Sequence, residues 1–216
     1  VSLPEDPEST ARLQNYVTEL SAYSRPTVPL DKQAEPFLHR SFAAADPKAA
    51  SVGLLPMALQ ALHNNYTSGL ASVAISVRGE LPELIYRENN AAYRFPVGLG
   101  KPQISQLDMN GDIYQVAVSG RFTHDEEERP VFYIKLAFLE TPSVRIIKLI
   151  LTPDGALLRQ TETPGVPYVY KKLRKAADAT LYKPLLLLAL GGTEDDYLRY
   201  KSLQLISPEI PLRPEN

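Results

Sequence analysis

The sequence predicts a single α+β domain in which helices precede and follow a central antiparallel β-meander. Three observations lead there. Apolar residues recur at helical spacing before about residue 69 and again after 163, but at alternate positions in between. Asn110-Gly111, the pair that best tolerates the positive φ angles of a type I′ turn, separates two alternating runs. Further short turns join the runs that follow. The expected division is 1–69 mainly helical, 70–163 a β-meander, and 164–216 helical with a Pro-rich tail, all within one domain spanning 1–216.

Asp6-Pro7-Glu8 forms a helix start: Asp caps free N–H groups, Pro has φ preset, and Glu suits the positive end of the dipole. Leu13, Tyr16, Val17, Leu20 and Tyr23 then share one helical face, ended by Arg25-Pro26. A second short helix is expected from Pro36, burying Phe37, Leu38 and Phe42. A third is expected from about Leu54 to Tyr66, with Leu55, Leu59, Leu62 and Tyr66 inward.

After Gly69 the period becomes two. Residues 71–77, 83–87, 103–109, 112–123, 132–138, 144–151 and 156–162 read as strands. Tyr114, Val116, Val118 and Phe122 share a face, as do Phe132, Ile134, Leu136 and Phe138. That alternation implies a curved sheet with one buried side and one wet side. Beyond Thr163-Pro164-Gly165, residues 166–182 are expected to be helical, and Thr193 to cap a last helix. Helices on the apolar face would make a roll of the NTF2-like or cystatin-like kind, an analogy of fold alone.

Composition narrows the function. With 216 residues, 44% hydrophobic, the chain can bury a core without disulfides or metal. The near-balance of 23 basic and 25 acidic side chains gives no electrostatic case for nucleic acid. The lack of cysteine removes thiol nucleophiles and thiolate metal sites. No apolar run approaches the roughly 20 residues a spanning helix needs. The chain begins at Val1 rather than Met, which is read as the removal of a signal peptide or membrane anchor, a transit peptide or an expression tag, and the reading leans toward an extracytoplasmic setting without fixing it. Asn65-Tyr66-Thr67 matches a glycosylation triplet of the kind common by chance.

No motif assembles a catalytic or metal site. His39, His63 and His124 lie far apart, and His124-Asp125-Glu126-Glu127-Glu128-Arg129 reads as a solvated acidic loop. Asp108-Met109-Asn110-Gly111-Asp112 has its glycine in the wrong place for a calcium loop, and the hairpin accounts for every residue. No phosphate loop, Ser-x-x-Lys or Gly-x-Ser-x-Gly is present, so no cofactor is expected.

Two candidate surfaces follow. Lys171, Lys172, Arg174 and Lys175 form a basic helix face near the apolar run Leu185 to Leu190, suited to an acidic protein partner or peripheral contact with an anionic membrane. Tyr114, Val116, Phe132, Ile134 and Phe138 would line any cavity inside the rolled sheet that held a small apolar ligand. The reading taken is a non-catalytic interaction or assembly domain with a protein partner, with the soluble part of a cell-envelope protein as one setting for it. The alternatives are a carrier of a small apolar ligand and an enzyme whose pocket is assembled from scattered residues.

Overall fold

In the computed structural model, eleven strands among the described residues form one sheet that curls into a nearly closed barrel, and 54% of the chain is strand against 11% helix. The structure describes residues 6–22, 28–46, 52–88, 91–163 and 207–215, with positions 165, 167 and 171. The expected α+β roll, with helices covering one face of a meander, is therefore corrected. A twisted sheet of this many strands curls until its walls face each other, so the opposite wall covers the apolar face instead of helices.

Helix α1 (Pro7–Ala22) starts as expected: Asp6 Oδ1 accepts the Glu8 and Ser9 N–H groups at 3.1 and 3.2 Å. The side chains of Leu13, Tyr16, Val17 and Leu20, and all of Tyr23, lie outside the described residues. The helix expected at Pro36 does not form. Residues 32–39 turn, and strand β1 (Arg40–Ala44) follows with Phe42 buried. Pairing partners on both of its sides override the local helical spacing. The third expected helix shrinks to α2 (Met57–His63), because Pro56 begins it and Asn64, at φ 52°, ends it. Leu62 and Tyr66, expected to face inward, are exposed.

The meander is present. Strands β2 (Ser72–Arg78) and β3 (Leu81–Glu88) form a hairpin. β4 (Ala91–Pro96) and the two-residue β5 (Gly98–Leu99) were not anticipated. Strands β6 (Gln103–Met109), β7 (Asp112–His124), β8 (Pro130–Phe138), β9 (Val144–Thr152) and β10 (Gly155–Thr163) follow the expected faces. The C-terminal helices expected over 166–182 and after Thr193 lie outside the described residues. The Pro-rich tail supplies strand β11 (Glu209–Pro214), which pairs antiparallel with both β10 and β1 and so joins the two ends of the chain in the barrel wall.

Closure elsewhere depends on a crossing. The Val97 N–H still bonds to Pro82 O of β3 at 2.8 Å, but one residue later β5 runs parallel to β7, with Gly98 opposite Ser119 and Leu99 opposite Gly120. A Cβ at Gly120 would lie 2.7 Å from Val97 Cγ1 and 2.8 Å from Tyr133 O, so the crossing needs glycine there. The chain then doubles back as β6, which pairs with β7. No ladder joins β4 to β6, and this seam is where the barrel stays open.

Alternate residues of every long strand point inward and form one core, including Tyr86, Val116, Phe132, Ile134, Leu136 and Leu149. Asn110 and Gly111 adopt φ of 56° and 91°, as a type I′ turn requires, and a Cβ at Gly111 would meet nothing. Gly111→Val should thus cost about 1–3 kcal/mol through backbone strain alone, read as a lowered melting temperature. Phe132→Ala should cost about 3–5 kcal/mol, whereas exposed Lys135→Ala should stay within about 0.5 kcal/mol.

Candidate functional site

One end of the barrel interior is polar. Arg145 on β9 is 0% exposed although it shares its face with Ile147, Leu149 and Leu151. Its Nε donates to Leu54 O at 3.2 Å and an Nη to Leu55 O at 3.0 Å, while its other Nη lies 3.0 Å from Glu162 Oε2. The same Glu162 oxygen accepts the Met57 N–H at 3.0 Å. Gln160 donates to the Tyr86 hydroxyl at 2.6 Å, and that hydroxyl donates to Val52 O at 3.4 Å. Glu88 Oε1 accepts the Leu54 N–H at 2.5 Å, and its Oε2 accepts the Ser68 N–H at 3.3 Å.

These contacts have one purpose in common. Residues 52–70 enter the barrel end as a plug without strand pairing, and buried backbone groups need partners there. Side chains of the wall supply them. Burial pushes the Glu162 carboxyl and the Tyr86 phenol up and the Arg145 guanidinium down, with the Arg145–Glu162 attraction opposing the shift at both partners of that pair. Burial likewise raises the Glu88 carboxyl, against the two N–H bonds it accepts.

The plug is latched to the β6–β7 hairpin by Asn65. Its amide donates to Met109 O at 2.7 Å and Asp112 Oδ2 at 2.8 Å, and accepts from Asn110 at 2.7 Å. His63 Nδ1 lies 3.1 Å from the Tyr114 hydroxyl, with the two rings stacked at 5.5 Å. The Asn65 side chain is therefore buried and committed, which is incompatible with glycosylation of the folded chain.

Beside this latch a cleft of about 340 Å³ opens at the seam. Tyr66, Thr67 and Ser68 come from the plug, Glu88 from β3, Ala91 and Tyr93 from β4, and Met109 and Asn110 from the end of β6 and its turn. Glu88 is 3% exposed, and no Lys, Arg or His of the described residues pairs with it. Burial, then the charges of Glu88 and Asp108, raise the Tyr93 phenol.

Comparison with known proteins adds no relative. No family model, curated protein or solved structure matches this chain. Function must therefore be argued from the site itself.

The structure places the residues singled out from sequence as follows. Tyr114, Val116, Phe132, Ile134 and Phe138 do converge in the barrel interior, each at most 4% exposed. They pack on one another and on their neighbours: Tyr114 meets Phe138 edge-on at 6.0 Å, and Phe132 stacks on Phe122 at 4.2 Å. Lys171 is exposed, and Lys172, Arg174 and Lys175 lie outside the described residues. His39 sits in a turn rather than on a helix, at φ 58°. In the acidic loop, Asp125 accepts the Glu127 and Arg129 N–H groups and pairs with the Arg129 guanidinium at 2.7 Å. Asp108 accepts the Gly111 N–H within the hairpin. Among the described residues no cluster of three potential metal ligands forms, and no helix is long and apolar enough to cross a membrane.

Sequence reasoning missed Arg145, Glu162, Gln160 and Glu88. The available signal was strand parity, since each falls on the inward face of an apolar strand. Arg145→Met should cost about 3–5 kcal/mol, because it leaves Glu162 buried without its counter-ion and two plug carbonyls unbonded. The pH dependence has a definite sign. Loss of Arg145 raises the Glu162 carboxyl further, so the folded state then holds a proton that the unfolded state releases. Stability of the variant should fall as pH rises through that raised range and recover on acidification, which denaturant titrations at pH 5 and pH 8 would measure.

Proposed function

We propose that this protein is a non-catalytic interaction domain that takes an extended segment of a partner protein as an added strand at the seam between β4 and β6. The observation that carries this reading is the pair of facing strand edges without a ladder. Met109 and Asp112 close a two-residue hairpin and so form a hydrogen-bonded pair; alternation then turns the backbone groups of Ile104, Gln106 and Asp108 away from β7. On the other side, the Val97 bond to Pro82 sets the parity, which turns the backbone groups of Ala92 and Arg94 away from β3. Among the described residues, two edges therefore offer free donors and acceptors toward one gap. Unpaired edges are templates for an incoming strand, and strand addition draws affinity from main-chain bonds and specificity from pockets for alternate side chains.

Two further features support binding over catalysis or ligand carriage. The buried charges Arg145 and Glu162 are occupied in holding the plug. The interior residues that would line a ligand cavity are packed against each other.

A displayed library of random linear decapeptides would test the reading, with selected binders measured against variants. Gln106→Pro and Ala92→Pro each remove a donor facing the gap and no ladder bond, so both should fold with little change in stability. Selected peptides should bind these variants about tenfold or more weakly, a loss of roughly 1.4 kcal/mol per edge. Peptides that bind both variants at full strength, or a library without binders, would remove the strand-addition proposal.

A further inference from the structure

We infer that the cleft at the seam is a side-chain pocket for a primary ammonium group, with Glu88 as its counter-ion and Tyr66 and Tyr93 as its walls. The inference rests on the strand-addition reading and names what the added strand carries there: a lysine side chain entering between β4 and β6.

Three observations support the choice of ligand. The Glu88 carboxyl lines the cleft yet is nearly inaccessible, and among the described residues no cation lies within ion-pair distance; the charge of Arg145, already paired with Glu162, reaches it only as a longer-range attraction. A buried carboxyl without a direct ion pair is costly to ionise, and such a group in a cleft is a candidate for a ligand that supplies the charge. Its two oxygens accept only the Leu54 and Ser68 N–H groups, while an ionised carboxylate offers about four acceptor positions. Among the described residues no cation lines the cleft: the remaining lining residues are two tyrosines, Thr67, Ser68, Ala91, Met109 and Asn110.

The shape and chemistry fit a cation on a flexible apolar stem. The faces of Tyr66 and Tyr93 are suited to attract an ammonium group. At about 340 Å³ the cleft sits at the low end of small-ligand sites, enough for one side chain and too small for a large cofactor. Ala91 and Tyr93 belong to the β4 edge, and Met109 to the end of β6, so a strand bound in the gap would deliver its side chain here.

The probe is n-butylammonium, the lysine side-chain terminus, with 1-butanol as its uncharged counterpart, titrated into the full chain and followed by side-chain NMR. Butylammonium should shift signals of Tyr66, Tyr93 and Met109 in a saturable way, and 1-butanol should bind about tenfold or more weakly. Glu88→Gln should abolish that preference for the cation. If Glu88→Gln fails to fold, Tyr66→Leu at an exposed wall position serves instead and should weaken butylammonium several-fold without affecting butanol. Equal binding of the two probes, no shifts at the cleft, or full-strength cation binding by the variant that folds would each overturn the inference. Edge-binding peptides selected without lysine, together with a silent cleft, would leave strand addition standing and remove the ammonium pocket. Butylammonium bound at Glu88 with no peptide at the edges would do the reverse.

Discussion

A buried guanidinium holds this molecule's least regular part in place. Arg145 reaches from β9 across the barrel end to two consecutive carbonyls of the plug and to Glu162 on the next strand. Without such partners, residues 52–57 would bring unpaired peptide groups into a dry interior, each at a cost of about 1–3 kcal/mol. The ion pair by itself is weak evidence of stability, since desolvation offsets much of its attraction. Its value lies in the geometry it imposes. A planar guanidinium with fixed donors accepts only one placement of the plug backbone, and the latch at Asn65 repeats that demand at the other end of the segment.

From that placement the seam follows. A barrel completes itself only if every strand finds two neighbours, and here the chain leaves β4 for the crossing of β5 against β7. The close approach at Gly120 draws the strands together at that point, while at the other end the plug residues Tyr66 to Ser68 stand between β4 and the tip of β6. Pro96 near the crossing has no N–H to offer, which blunts one part of the exposed edge. The wall is hydrogen-bonded everywhere else along the order from β4 through β1 and β11 to β7. Closure and opening thus both follow from the change of partner between β4, on β3, and β5, on β7.

Much of the wall was legible beforehand. Strict alternation from Tyr114 to Phe122 and from Phe132 to Phe138 places those side chains inside, and Asn110-Gly111 sets the register of the hairpin. Local spacing misled where pairing is long-range. Residues 36–42 carry apolar side chains at helical intervals, yet Phe42 sits in a strand between partners 31 and 172 residues away. The tail reads only as Pro-rich because Pro208, Pro211 and Pro214 discourage a central strand, but Ile210 and Leu212 have the parity of a core strand. A sheet whose ends meet also needs no helical cover, and no local pattern distinguishes a roll from a barrel. The site was hidden for a different reason. Glu88, Arg145 and Glu162 look like solvent-side charges until the strand parity around each is counted.

The central claim is that β4 and β6 present free backbone edges to one another, and residue-resolved amide exchange on the unliganded protein tests it most directly. The account predicts alternation along both strands: amides of Ala92, Arg94, Ile104, Gln106 and Asp108 exchange quickly, while those of Tyr93, Phe95, Ser105 and Leu107 are protected by their ladders. Uniform protection at all nine positions would mean that the seam is closed by hydrogen bonds, and the binding edge would not exist.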